Sequence, residues 1–453
     1  MKLDLTNKKV VILGLGKSNI SAVRLLNRLN SKEIFVSETN PDNEYIPELK
    51  SSGIFYETGD HTDACIKNTD LIIKSPGIPM HSGILNKAVK LNIPVWSELE
   101  FAYRLINPNK IIGITGTNGK TTTTTLTGKI CSNAGYKTVI CGNIGSPLSD
   151  FVDKIDAKTI VVIEISSYQL ETIDTFKPHI SCILNITPDH LEHHLNMDEY
   201  IKSKSRIFSN QDKSGYCVYN HDDSLTRELI LKNRQKYPVK FVPFSISSEL
   251  EEGIYYNKGN FIMNLNTHIK SEYSINLQIP GNHNIENAMA TIAISALLNI
   301  KIDIIKKTIE SFQGVEHRIE FVRELNGIKY FNDSKSTNVD STYVALNSFD
   351  NPVILIMGGR DKGAPYKPLS GLIRQKVKKL LLIGESTGKI YNELNSATEI
   401  IKCGTMENAV REAHQSGNPG DIVLLSPGCS SFDQFTNFEH RGKVFKDLVN
   451  SLV

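Results

Sequence analysis

Residues 113–122 read GITGTNGKTT, a Gly-rich loop that ends in Lys120-Thr121-Thr122. The preceding KIIGIT is apolar enough for a buried strand, and TTTTLTGKICSNAG at 122–135 suits a helix. Strand, loop and helix in that order predict a nucleotide-phosphate cradle, in which loop N–H groups and the helix N-terminus face a polyphosphate. Lys120 would bring a point charge to the β and γ phosphates, and the hydroxyl of Thr121 or Thr122 would reach Mg²⁺. The general pattern GxxxxGK[ST] requires Gly where this chain has Ile114, so the loop is the narrower variant TGTNGKTT. A plain Gly/Asn turn before a Thr-rich helix is the alternative; Gly-Lys-Thr-Thr at the strand-to-helix junction argues against it.

On the N-terminal side, KKVVILGLG, SNISAVRLLNRLN, EIFVSET, DLIIKSPG and IPVWS alternate buried-strand and helical patterns, an α/β rhythm. Gly14-Leu15-Gly16 closes the first strand, and Glu38 ends the second at the distance a mononucleotide-binding βαβ unit requires. Asn19 stands where GxGxxG has its third Gly, so a tight turn without a ligand explains this segment equally well. INPNK at 106–110 reads as a linker.

On the C-terminal side, TVICGN, TIVVIEIS and ISCILNIT read as further strands of the phosphate-loop unit. Between about 214 and 280 the strands shorten, suggesting an accessory sheet with a hairpin turn at Asn257-Lys258-Gly259-Asn260. After the helical run MATIAISALLNI, the segment GVEHR opens a third unit, where NPVILIMGG, VKKLLLIGES, TEIIKCGT and GDIVLLSPG repeat the rhythm and predict a third parallel sheet. The expected fold class is α/β with three domains: Rossmann-like at 1–108, P-loop ATPase-like at 109–313 and Rossmann-like at 314–453.

The 453-residue length agrees with about three cores. Hydrophobic content of 40%, charged content of 22% and a net charge of +2 describe a globular chain with no electrostatic case for nucleic acid or an acidic membrane surface. The early Lys and Asp and short apolar run at the N-terminus do not fit a signal peptide, and no stretch reaches the roughly 18–20 apolar residues of a membrane span. A cytoplasmic protein is expected. The seven cysteines form no CxxC pair, and read as small buried hydrophobes in a reducing compartment.

Polyphosphate chemistry needs a metal with hard oxygen ligands. Glu164 ends the apolar run TIVVIE, where a parallel strand would deliver its carboxylate beside the phosphate loop. Ser166 and Ser167 follow, in position to donate hydrogen bonds. The next strand leads to Pro188-Asp189-His190, making His190 a candidate metal ligand or acid–base group. His193 and His194 fit no zinc spacing and read as loop surface. In the helical MDEYIKSKSRIF, Tyr200, Lys204 and Phe208 share one face. An amine such as that of Lys204 can condense with CO₂ to a carbamate, a carboxylate-like ligand for Mg²⁺, although a surface ion pair is the default for a lysine. In the third unit, His317-Arg318 and Asp333-Ser334-Lys335-Ser336-Thr337 gather charges and hydroxyls suited to a carboxylate or phosphate; a polar surface turn is the alternative.

TGTNGKTT, EISSYQL, NITPDHLEHH, the helix carrying Lys204, PGNHNIENA, EHR, DSKSTN and SPGCSSFDQFTNFEHRG occur in this order over nearly the whole chain. Together they resemble the Mur ligase family, ATP-dependent amide ligases of peptidoglycan precursor synthesis. The resemblance implies ATP, two Mg²⁺ ions and a CO₂-derived carbamate on Lys204. Gly116, Thr117, Asn118, Gly119, Lys120, Thr121 and Thr122 would hold the phosphates, Asn284 and Asn287 would lie near the adenine, and Arg318 and Asp333 would contact ATP. Thr121 and Glu164 would hold one Mg²⁺, His190 and carbamylated Lys204 the second, and Lys335 would lie near the reacting centre.

For the substrates, the resemblance implies UDP-N-acetylmuramoyl-L-alanine and D-glutamate, joined through an acyl phosphate. The UDP-muramoyl side would meet Leu15, Lys17, Ser18, Glu38, Thr39, Asn40, Gly77, Asn143 and Ser166. Glu-Thr-Asn departs from the Asp-Thr-Arg that commonly ends the second strand, removing the Arg contact expected near uracil. Lys362, Ser431 and Phe432 would meet D-glutamate, since Lys suits a carboxylate and Ser offers a hydrogen-bond donor. A monomer acting on small molecules is expected. Rivals are a folylpolyglutamate synthetase-like ligase, which would not be expected to start with a separate UDP-binding unit, and a nucleotide-driven switch or transport ATPase, which has no need for DSKST or CSSFDQF.

Overall fold

A computed structural model describes residues 3–29, 31–143, 145–189, 191–265, 270–361 and 363–453. Two compact units form: the chain through Ile275 with Glu286–Ile309, and Asn276–Ile285 with Glu310–Val453. Between them they carry three sheets.

The first sheet contains β1 (Lys9–Leu13), β2 (Glu33–Glu38), β3 (Phe55–Thr58), β4 (Leu71–Lys74) and β5 (Val95–Trp96). Their order is β3-β2-β1-β4-β5, with every pairing parallel. Val10 and Ile12 of β1 enter one core while Val11 and Leu13 enter another. Both faces are therefore covered, which is why this strand reads as a continuous apolar run rather than an alternating one.

The second sheet, in the same unit, contains β6 (Lys110–Thr115), β7 (Lys137–Gly142), β8 (Thr159–Glu164), β9 (Ile180–Ile183), β10 (Tyr216–Asn220), β11 (Lys240–Ser245), β12 (Gly253–Asn257), β13 (Asn260–Asn264) and β14 (Ser271–Ser274). Its order is β14-β13-β12-β11-β10-β9-β6-β8-β7. The short strands after residue 214 thus extend the phosphate-loop sheet instead of forming the separate accessory sheet expected from sequence. β10 pairs in parallel with β9, Tyr216 opposite Ile180, and satisfies a row of backbone groups that would otherwise be an open edge. Among the described residues of this sheet the antiparallel pairings are those of β12–β13–β14, and Lys258 (φ 47°) and Gly259 (φ 89°) make the tight β12–β13 hairpin.

The third sheet contains β15 (Glu320–Leu325), β16 (Ile328–Asn332), β17 (Val353–Gly358), β18 (Val377–Ile383), β19 (Glu399–Gly404) and β20 (Ile422–Leu425), ordered β15-β16-β20-β17-β18-β19. It is parallel except for the edge strand β15, which pairs antiparallel with β16. Val353, Leu355 and Met357 face one core, Ile354 and Ile356 the other. The molecule is α/β in all three sheets, as the strand–helix rhythm predicted. Six of the seven cysteines are buried thiols and Cys403 is half-buried. Among the described residues no helix is long and apolar enough to cross a membrane.

Candidate active site

Strand β6, between β9 and β8, ends at Thr115 and the loop 116–119 leads into the helix Lys120–Asn133. Gly119 caps that helix at φ 82°, and a Cβ there would lie 2.3 Å from Asn287 Oδ1. Glycine is favoured on both counts, by the left-handed backbone and by the room taken by Asn287. Asn185, just past β9, holds the outer loop: its Oδ1 accepts from the N–H groups of Thr117 (3.0 Å) and Asn118 (2.8 Å), and its Nδ2 donates to Asn118 O (3.2 Å). Sequence reading missed Asn185, whose signal was only its place in NITPDH. The Lys120 ammonium folds over the loop and donates to Gly116 O (2.9 Å) and Thr117 O (2.8 Å). Thr122 is buried in the first helical turn.

At the end of β8, Glu164 is buried and accepts from Thr121 Oγ1 (2.7 Å) and Asn143 Nδ2 (2.9 Å). Both donors are neutral, which leaves the carboxylate charge in place for a cation. This hard-oxygen set fits Mg²⁺. Ser166 caps the short helix Ser167–Leu170 in a capping box with Gln169, so part of its hydrogen-bonding capacity is structural.

Tyr200, Lys204 and Phe208 share a face of the helix Met197–Ser209 as expected, but the face is buried. Lys204 is about 1% exposed and donates to Gly116 O at 2.9 Å, and its Nζ lies 4.6 Å from the Tyr200 ring centre. Burial, reinforced by the charge of Lys120 and opposed by Asp189, holds the amine well below the usual lysine pKa. The result is a second lysine at the phosphate loop with its proton weakly held. His190 lies outside the described residues. His193 and His194 are buried rather than on a loop surface, because both bind Glu171, at 2.9 and 3.2 Å.

In the first sheet, Glu38 Oε2 accepts from Leu15 N (2.5 Å) and Oε1 from Asn40 N (2.8 Å), with Thr39 Oγ1 at 3.4 Å. Asn19 replaces the third Gly by donating to Leu13 O (3.1 Å) and Gly14 O (2.8 Å) from a fully buried position. Lys17 Nζ reaches across to Gly145 O (2.5 Å), two residues beyond Asn143, while Ser18 lies in the first turn of the helix Lys17–Arg28. Gly77 stands in the turn after β4, with open space where a Cβ would go. Leu15, Lys17, Ser18, Glu38, Thr39 and Asn40 thus gather around one strand-to-helix turn.

In the second unit, Arg318 lies between two residues of positive φ, His317 (65°) and Ile319 (43°). Its Nη1 lies 3.2 Å from Ser336 Oγ and 3.7 Å from Asp333 Oδ1. Asp333 is fully buried and accepts from Ser426 Oγ (2.9 Å), Ile319 N (3.2 Å) and the Ser336 hydroxyl. Burial raises its pKa, and Arg318 with these hydrogen bonds opposes the rise. The Lys335 ammonium lies 5.7 Å from the Phe438 ring centre. Asn284 Nδ2 donates to Pro280 O (2.6 Å) in this unit, whereas Asn287 belongs to the first, where it accepts from Thr123 Oγ1 (3.2 Å). Ser431 is buried, Phe432 is 62% exposed, and Lys362 lies outside the described residues. Arg441, which sequence reading left without a role, is fully buried and bridges Ser334 (Oγ 3.0 Å, O 2.8 Å) to the carbonyls of Cys429 and Ser430 (both 3.2 Å). One guanidinium therefore ties DSKST to the CSS segment.

A phosphate loop at the C-terminal edge of parallel strands, with a buried acid and a second lysine, itself buried, beside it, defines a nucleotide-binding α/β enzyme. Residues 8–97 match the Mur ligase MurD-like N-terminal domain, 114–295 the Mur ligase middle domain, and 317–429 the Mur ligase glutamate ligase domain. The chain is 43% identical over 99% of its length to the full UDP-N-acetylmuramoylalanine–D-glutamate ligase of Caldicellulosiruptor saccharolyticus. It is 41% identical, again over 99% of its length and the whole relative, to the enzyme of that name from Clostridioides difficile. Its fold is similar to that of UDP-N-acetylmuramate-alanine ligase MurC of Thermotoga maritima (TM-score 0.60, 18% identity, 98% of this chain and 100% of that one). It is also similar to that of MurF of Acinetobacter baumannii (TM-score 0.61, 17% identity, 98% and 92%). The chain belongs to the Mur ligase family, whose members are ATP-dependent amide ligases.

Proposed function

We propose that this enzyme joins D-glutamate to UDP-N-acetylmuramoyl-L-alanine at the expense of ATP. The observation that carries the ligase chemistry is Lys204, a buried amine 2.9 Å from the phosphate-loop carbonyl of Gly116. The full-length relatives named as D-glutamate ligases supply the choice of substrates.

In the first step a carboxylate oxygen of the UDP-linked alanine attacks the γ-phosphorus of ATP, and ADP leaves. The acyl phosphate then receives the D-glutamate amine at its carbonyl carbon, and phosphate is expelled as the amide forms. Such a reaction is accelerated mainly by positioning and by neutralising phosphoryl charge. Gly116–Thr122 bind the phosphates, with Lys120 on the γ-phosphate. Asn284, Asn287, Arg318 and Asp333 are assigned to the nucleotide, and Lys335 to the reacting centre. Thr121 and Glu164 would hold one Mg²⁺; His190 and Lys204 would hold the second. Bound Mg²⁺ shields phosphate charge. Lys204 takes up CO₂ as its neutral amine, forming an N–C bond and releasing a proton, and burial favours the neutral form this requires.

Leu15, Lys17, Ser18, Glu38, Thr39, Asn40, Gly77, Asn143 and Ser166 are assigned to the UDP-muramoyl substrate, and Lys362, Ser431 and Phe432 to D-glutamate. Residues 1–108, 109–313 and 314–453 are the corresponding domains of a cytoplasmic monomer. The test is phosphate release from ATP with each substrate omitted, followed by a panel of amino acids. Release should require both UDP-N-acetylmuramoyl-L-alanine and D-glutamate; release indifferent to either one sinks the assignment.

A further inference from the structure

Lys74 closes β4, and its side chain is fully buried. A lysine so placed needs a counter-charge and acceptors. It donates to Ile78 O (2.9 Å) and lies 3.1 Å from Glu171 Oε2. The first contact closes the turn Ser75–Ile78, which carries Gly77. That turn is also held to the first strand, since Ser75 N donates to Leu13 O (2.7 Å) and a Cβ on Gly14 would lie 2.8 Å from Ser75 Cβ.

Glu171 follows the helix Ser167–Leu170 in the phosphate-loop sheet's half of the unit. Its Oε1 accepts from His193 Nε2 (2.9 Å) and lies 3.2 Å from His194 Nδ1. His194 Nε2 pairs with Ser167 Oγ (2.9 Å), and Tyr168 packs on the His193 ring with centroids 4.0 Å apart. Burial would raise the Glu171 carboxyl, but the two histidines and Lys74 outweigh it and hold it at about 2, so it is ionised. Glu171, His193 and His194 lie close enough to share a metal ion, but the Lys74 ammonium already supplies the cation.

We infer that Lys74 and Glu171 are a positioning pair that holds the UDP-side turn at Gly77 against the His193–His194 pair, so that substrate seating and metal-side geometry are set together. This rests on the assignment of Gly77 and His190 above. Removing one charge strands the other in a buried site, so the informative protein is the double variant Lys74→Met/Glu171→Gln, which leaves neither.

The test is steady-state ligation by the full chain, with thermal unfolding confirming a folded variant and the wild type run alongside. Expected is a rise of about tenfold in KM for UDP-N-acetylmuramoyl-L-alanine and of about threefold or more in half-saturating Mg²⁺, with KM for D-glutamate unchanged. Unchanged constants, a rise in only one of the first two, or an equal rise in all three overturns the inference. Failure of the wild type to ligate these substrates would instead overturn the functional assignment. Binding of the UDP-sugar to both proteins by calorimetry then decides the pair's role, and equal affinities count against it.

Discussion

Two strand-to-helix turns in the first unit occupy the same topological place and do different work. The turn after β1 is stabilised by an acid: Glu38 accepts the Leu15 N–H, and Asn19 fills the place of the third glycine with an amide bonded to strand carbonyls. The turn after β6 is stabilised by an amide, Asn185, and its nearby acid, Glu164, accepts from the neutral side chains of Thr121 and Asn143 while two lysines donate into the loop. The first turn uses its carboxylate to fix backbone; the second leaves its carboxylate for a cation and adds positive charge. The same fold element thus carries two different sets of groups, suited to the two roles proposed above: a seat for a sugar nucleotide in one place and a phosphoryl-transfer site in the other.

The largest effects should come from the lysines of the second turn. Lys120→Ala and Lys204→Ala should each lower kcat by about 10²–10³ or more, the scale of losing one charge-stabilising group. Added bicarbonate should not rescue Lys204→Ala; wild-type rates in that variant would refute the carbamate. Next comes Gly119→Ala, which forces an L-residue to φ 82° and a Cβ onto Asn287. It should cost about 1–3 kcal/mol in thermal or urea unfolding and weaken ATP binding. In the first turn, Glu38→Gln should raise KM for the UDP-substrate about tenfold, roughly 1.4 kcal/mol, and leave KM for ATP unchanged. An altered ATP constant would erase the contrast between the turns.

The smallest effect concerns stability. In the fold the Lys204 amine titrates well below its ordinary value of 10.5. Between those two values the unfolded chain holds a proton that the folded chain lacks, so wild-type stability rises with pH across that window. Lys204→Met in CO₂-free buffer should therefore be more stable than wild type by roughly 1 kcal/mol near neutrality, with the gain shrinking toward pH 10.5. Denaturant titrations at several pH values read this directly, and a gain that does not change with pH would contradict the assignment.

Much of this was legible in the chain. Apolar runs ending in Gly, Glu or Asn marked the parallel strands, because strands covered on both faces need no alternation, and TGTNGKTT and TIVVIE placed Lys120 and Glu164 on one sheet edge. Less legible were contacts made by residues with a bland default. A histidine pair after a turn reads as surface until Glu171 and Tyr168 are found packed on it. Arg441 reads as one more helix arginine until Ser334, far away in sequence, and the nearer Ser430 are seen to share its guanidinium. The short strands after residue 214 gave no sign of which edge they would join.

The sequence by itself determined the α/β class, the phosphate loop and the order of the chemical motifs, because these depend on local periodicity and on residue types at fixed spacing. Tertiary structure alone decided the burial of Lys204 and Lys74, and with it their chemistry. A lysine's proton affinity depends on the water and charges around it, and those come from segments distant in the chain.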